Sequence, residues 1–250
     1  MKHRSTFALV SVLAIALGAA LTVMPARWLM AALPSELPVS VADADGSLWS
    51  GRALLAVGQP GFQRTITEPL AWTFSLVGGP HLRVEHPWLN EAVVIRPAWL
   101  GLSISGQSFQ APASLLSTFD ARLAALNPGG QLLLQWPAMV VGFTGKLQNN
   151  ALIQLHWNNA SSTLAAVKPL GSYRLSLTAS ALEDAAITLS SAHGPLLLQG
   201  QGAISPGGRF QMGLTTRIDP VADPAVSAAL RDLLATLGVS PSGTLNLRHS

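Results

Sequence analysis

Through most of this chain the apolar residues come in strand-length runs that end at glycine, proline or a short polar turn. Leu70, Trp72, Phe74 and Leu76 alternate with smaller or polar neighbours, as do Leu100, Leu102 and Ile104. In 173–178, Tyr173, Leu175 and Leu177 alternate with Arg174, Ser176 and Thr178. A period of two with one polar side predicts antiparallel strands whose second face is wet. Strands are expected at 52–57, 70–76, 82–85, 92–95, 100–105, 131–136, 139–143, 145–157, 173–178, 186–190, 196–204 and 210–218. Val39–Val41 leads into Asp43-Ala44-Asp45-Gly46, which reads as a turn, and Ser47–Gly51 reads as a short strand. The predicted class is therefore mainly β: a curved, largely antiparallel sheet, groove or sandwich.

Two segments have helical spacing instead. In Pro112–Asn127 the residues Leu115, Leu116, Phe119, Leu123 and Leu126 share a face, with Ser114 as the candidate cap. In Asp223–Gly238, Asp223 is placed to cap, Pro224 fits the first helical position and Gly238 the terminus. Each helix runs into a Pro/Gly turn and then a Gly-x-Leu-x-Leu-like strand, Gly130–Leu134 and Gly243–Leu247. This pattern suggests an internal duplication with halves near 39–136 and 137–250.

Thr6–Met24 contains no charged residue. As a helix it would extend roughly 28 Å, close to the hydrocarbon thickness of a bilayer. Lys2 and Arg4 precede it, which favours a cytoplasmic N-terminus at 1–5, a transmembrane helix at 6–24, a linker at 25–38 and a periplasmic domain at 39–250. A second reading of the stretch is a cleaved signal peptide, with Gly18-Ala19-Ala20 at the cleavage site. Both readings export the rest of the chain.

Only 11 % of the residues are charged and 49 % are hydrophobic. Fifteen Lys and Arg face twelve Asp and Glu, and without Lys2 and Arg4 the balance is thirteen to twelve. No basic cluster suits phosphate neutralisation, so nucleic acid is not an expected partner. Cysteine is absent. The six histidines lack the i, i+4 spacing of a zinc helix, and His81 and His86 read as surface residues. Gly-x-Ser-x-Gly, P-loop and dinucleotide motifs are absent, and Gly200-Gln201-Gly202 reads as a turn. No catalytic residue, metal or cofactor is expected, and the chain is not expected to be an enzyme. The tryptophans are more informative. Trp72, Trp99, Trp136 and Trp157, with Leu102, either pack a core or line an apolar concave face for a protein or a lipid.

The order of several weak motifs resembles the protein N family of the bacterial type II (general) secretion pathway. These are a basic N-terminus with one apolar segment, then Gly46-Ser47-Leu48-Trp49-Ser50-Gly51 as a family-like G-x-L-W-x-G strand, then Leu70-Ala71-Trp72. The Leu-rich helix before Pro128-Gly129-Gly130, the Leu170–Tyr173 stretch and the closing helix before Ser242-Gly243-Thr244-Leu245 continue the series. Gly46, Leu48, Trp49 and Gly51 carry the motif as structural positions. The resemblance implies an inner-membrane protein with a periplasmic β-rich body. Its role would be that of an accessory part of the machine exporting folded proteins, with other secretion components as partners. More distantly the chain resembles AsmA-like proteins, which implies a lipid-binding groove as the alternative.

Overall fold

The structure, a computed structural model, describes residues 24–26, 38–59, 61–143, 145, 147, 151–179, 185–205, 210–236, 238 and 244–249. The expected transmembrane helix at 6–24 lies outside them except for Met24. No helix among the described residues is long and apolar enough to cross a membrane.

Two antiparallel sheets account for the body. The first takes β1 (Val39–Gly46), β2 (Ser50–Val57), β4 (Leu70–Ser75), β5 (His81–Glu85), β6 (Val93–Ala98), β7 (Gly101–Ile104) and β10 (Met139–Gly142) in that spatial order. The two-residue β3 (Arg64–Thr65) lies beside β2. The second runs β8 (Gln107–Pro112), β9 (Gly129–Trp136), β11 (Ala151–Ser161), β12 (Gly171–Ala179), β13 (Ala185–His193), β14 (Leu196–Ile204), β15 (Phe210–Ile218) and β16 (Thr244–His249). Sequence neighbours pair almost throughout, so both sheets are meanders. The sheets do not coincide with the two halves of the sequence, because β10 returns to the first sheet after β9 has joined the second.

That return joins the sheets. β7 pairs with β10 and β8 pairs with β9, and one register offset holds from Gly101↔Gly142 to Pro112↔Gln131. The two pairs are one long hairpin, bent where Ser105-Gly106 faces Pro137-Ala138. A Cβ on Gly106 would lie 2.8 Å from the Ala138 backbone nitrogen, so this bend needs glycine. The Trp136 indole donates to the Ser105 carbonyl at 3.0 Å and ties the two sides of the bend together. Strands that switch sheets at such corners are how two β-layers are brought face to face.

In the second sheet the alternation predicted at 173–178 holds across the ladders. Leu132 and Leu134 on β9, Leu155 and Trp157 on β11, Tyr173 and Leu175 on β12, and Ile187 and Leu189 on β13 share one face. Leu198 on β14 and Met212 and Leu214 on β15 continue it. The opposite face carries Gln135, Gln154, Arg174, Thr188, Gln201 and Gln211. Gly200-Gln201-Gly202 lies inside β14 and is not a turn. A Cβ on Gly200 would meet the Met212 side chain at 2.6 Å, so the glycine makes room for the methionine that covers it.

The first helical segment is a 3-10 helix (Ala113–Thr118) followed by a short α1 (Ala121–Leu126). Ser114 does not cap it. The cap position is Pro112, whose ring has no group to bond the free N–H donors, and this weak start accompanies the tighter, shorter form. α2 (Pro224–Thr236) starts as expected: the Asp223 carboxylate accepts from the Ala225 N–H at 2.8 Å. Gly238 has φ +70° and its N–H bonds the Ala235 carbonyl. α2 buries Leu230, Leu233 and Leu234 against Ala165 and Leu196, with Leu198 and Ile218 alongside. Strand–helix–strand units thus close both edges of the second sheet, β8 to β9 and β15 to β16.

Near α2, the buried Tyr173 hydroxyl donates to the Leu196 carbonyl at 3.1 Å, and burial raises its pKa well above the usual tyrosine value. Tyr173→Phe removes this bond and is expected to cost about 1–3 kcal/mol of stability in urea unfolding. An unchanged unfolding midpoint would show that the bond contributes nothing net.

Candidate functional site

The apolar faces of the two sheets meet at a cavity of about 480 Å³. Val39, Leu55, Val57 and Leu70 line it from the first sheet, Phe109, Leu132, Leu134 and Leu155 from the second. The 3-10 helix contributes Leu115 and Leu116, and Phe119 follows them. This helix is held over the cavity by the end of β2, where Gln59 N–H donates to the Thr118 carbonyl at 3.0 Å. Gly58, at φ +127°, lies so close that a Cβ there would sit 2.5 Å from the same oxygen.

His86 is the polar side chain of the lining. It is half-buried rather than a surface residue, because its loop folds under the first sheet. Its Nδ1 accepts from the Trp88 N–H at 3.1 Å, so Nε2 carries the proton and donates to the Glu68 carbonyl at 3.2 Å. The ring packs edge-on against Trp88, with centroids 5.0 Å apart, and Trp88 packs likewise on Phe109 at 5.8 Å. Both imidazole nitrogens are engaged by backbone groups, so the cavity presents shape and apolar surface rather than a free acid or base. A neighbouring hollow of about 520 Å³ is lined by neutral groups including Asn90, Ser108, Gln110 and Gln131.

The G-x-L-W-x-G motif is a turn, not a strand. β1 runs on through Asp43-Ala44-Asp45-Gly46, and Ser47-Leu48-Trp49 makes the connection to β2. The turn residue signal at Asp43–Gly46 misplaced it by a few positions; a register shift between Val41 and Asp43 absorbs the irregularity within β1 instead. Ser47 Oγ accepts from the Trp49 and Ser50 N–H groups, and Gly46 takes φ +94°. The Leu48 carbonyl accepts from the Trp72 indole at 3.2 Å, and the Trp49 carbonyl from the Phe74 N–H at 2.6 Å. The Trp49 ring meets Phe74 at 5.2 Å. Gly51 lets Trp72 cross the turn, since a Cβ there would sit 2.5 Å from the indole and from the Asp45 carbonyl.

The five candidates for an apolar face do not form one patch. Trp72 is buried in the first sheet with Ala53 and Ala26. Trp136 and Trp157 are half-buried on the second, and the Trp157 indole is tied to the Gly129 carbonyl at 2.9 Å. Leu102 is on the apolar side of β7, while Trp99 is 97 % exposed in the β6–β7 turn. Phe109 and Ala111 were missed because β8 reads as mostly polar. Their alternation with Gln110 and Pro112 was the available signal. The cavity leucines of the 3-10 helix were legible as an apolar stripe, though not as a lining.

Among the described residues no cluster of His, Cys, Asp or Glu could hold a metal ion. His156 has a lowered pKa, from burial first and then from Arg174, its cross-strand partner on the polar face. His156 follows Leu155, a lining residue, but lies on the opposite face of the sheet from the cavity.

Fold and site together define a two-sheet antiparallel β protein with an apolar cavity between the sheets, neutral amides beside it and a polar back. The family model for the type II secretion system (T2SS), protein N, matches residues 37–248. The chain belongs to that family and is a component of the type II secretion system. No curated protein matches it, and no solved structure does.

Gly51→Ala is expected to lower stability by about 1–3 kcal/mol, by overpacking the turn against Trp72. Thermal unfolding followed by tryptophan fluorescence reads this. A melting temperature equal to that of the parent would remove the packing argument for the motif.

Proposed function

We propose that this chain is an accessory inner-membrane component of the type II secretion system that helps its assembly or operation by contact. In this reading Thr6–Met24 cross the inner membrane and the β-rich body lies in the periplasm. No step of catalysis is assigned to it. The observation that carries the reading is the incompletely covered apolar face of the second sheet. Leu175, Leu177, Leu189 and Leu214 are only half-buried there, although α2 and the 3-10 helix cover both edges of that face. A face of this kind suits a partner protein, and family membership makes other secretion components the candidates.

The test is photo-crosslinking in the intact envelope from Leu189, Leu214 and Leu102. Capture of a secretion component under secreting conditions is expected, together with reduced export for Leu189→Glu. Failure to capture any envelope protein, with normal export by that variant, would refute the scaffold role. Membrane topology is checked separately, by resistance to alkaline extraction and by protease access in spheroplasts.

A second reading, a lipid-binding module, is favoured by the cavity itself. Its volume, about 480 Å³, falls within the range of small-ligand sites, and its lining is almost wholly apolar. A photoactivatable fatty acid should then label Phe109 or Leu116, and Ala111→Phe should abolish the labelling by filling the space. Labelling spread over the surface and unaffected by that change would exclude it.

A further inference from the structure

The registers place four connections of the first sheet at one end. They are the β1–β2 turn after Gly46↔Gly51, the β4–β5 turn after Ser75↔His81, the β6–β7 turn after Ala98↔Gly101, and the exit of β10 after Gly142↔Gly101. The side chains at this end are apolar and face water. Val77 is 85 % exposed and Phe143 82 %, beside the almost fully exposed Trp99, with Leu76, Leu100 and Trp49 also open. Among the described residues of these connections, 47–49, 76–80, 99–100, 143 and 145, none is charged. The connections at the opposite end of the sheet also expose one large apolar residue, Phe62, but they carry Arg64, Glu68, His86 and Glu91. Uncharged apolar tips at one end only are unusual on a water-facing surface.

A second observation says what covers them. Met24, Pro25 and Ala26, assigned by the sequence to the end of the span and the start of a linker, run along the β1–β2 turn. Leu48 N–H donates to the Met24 carbonyl at 3.0 Å, Ala26 N–H to the Gly46 carbonyl at 3.1 Å, and Pro25 bridges Ser47. Ala26 is fully buried against Ala53 and Trp72. The uncharged Thr6–Met24 segment therefore joins the body at this same end, with no free chain between Met24 and the turn. In the membrane-anchored reading the span ends at Met24, so the β1–β2 turn lies where the chain leaves the bilayer.

We infer that the apolar tips of the first sheet sit in the lipid interface of the bilayer, beside the point where Thr6–Met24 enters it. Trp99, 97 % exposed, is of the residue type that membrane interfaces favour. Val77, Leu100 and Phe143 supply apolar area at the same end. The body is then docked on the membrane by several tips rather than tethered by one helix, which fixes the direction in which the second sheet projects. This rests on the membrane-anchored reading proposed above.

The chain has no cysteine, so single-cysteine variants of the full-length protein report one site each. Val77→Cys, Leu100→Cys and Phe143→Cys, with Gln201→Cys on the polar face as reference, are labelled with an environment-sensitive NBD fluorophore. They are then reconstituted into phosphatidylethanolamine–phosphatidylglycerol vesicles. The expected result is co-flotation of all four. Emission at 77, 100 and 143 should be blue-shifted and largely lost to quenching by nitroxide-bearing lipid, while 201 stays water-like. Co-flotation with water-like emission at every site would overturn the inference and leave the anchor intact. A blue shift at the tips without lipid quenching would also overturn it, in favour of a protein partner. Failure to co-float after an alkaline wash would remove the anchor and the inference together.

Discussion

The bent hairpin of β7–β8 and β9–β10 is the constraint on which the rest of the structure depends. Its register does not slip at the bend, so it belongs to both sheets at once and sets one against the other. A one-residue slip would exchange its inward and outward side chains, moving Phe109, Leu132 and Leu134 away from the cavity. Gly106 and the Trp136 indole bond keep the bend where it is. The cavity follows from that geometry. Two sheets hinged at a corner approach closely at the hinge and diverge from it, and here the 3-10 helix fills part of the gap. The remaining space is apolar because both facing surfaces are.

Most of the fold was legible because alternation is a local signal and this chain is a meander. When each strand pairs with the next, local pattern and global topology agree, so strands such as β4, β12, β14 and β15 could be placed from their own residues. The failures occur where that agreement lapses. β8 leaves the first sheet for the second, and only Phe109 and Ala111 mark its inward face, so it was not seen as a strand. Asp43–Gly46 has the composition of a turn, but β1 carries a register shift and its aspartates lie on an edge strand, where charge is tolerated. Gly200 and Gly202 look like turn residues and are instead space for Met212, a tertiary demand that no local pattern reveals.

The candidate site was less legible than the fold. Tryptophans were the right residues to follow, but one residue type serves three purposes here. Trp72 is core, Trp136 and Trp157 brace the backbone with their indole N–H groups, and Trp99 is a surface tip. Sequence position within a strand or a turn separates the last from the others only once the hairpins are located. His86 shows the same limit, because its role is decided by Trp88 N–H and the Glu68 carbonyl, partners that alternation does not predict.

The scarcity of charge acquires a physical meaning when it is mapped. A protein with 11 % charged residues must leave some of its surface without them. Here the polar back of the second sheet carries mostly glutamines, threonines and serines, which hydrate well without charge, with Arg174 and Arg217 among them. Much of the exposed apolar surface lies on the half-covered face of the second sheet, a trough, and on the uncharged tips, with Phe62, Leu164 and Val221 elsewhere. These two regions belong to different sheets, and the bent hairpin connects them. A body held at the tips would present its trough at a set angle to the holding surface, because the linkage between them is a hydrogen-bonded ladder rather than a flexible segment. Rigidity between a point of attachment and a point of contact is what a contact protein needs, since it lowers the ordering cost of binding a partner. The corner that creates the cavity is therefore also the element that would orient the exposed surface.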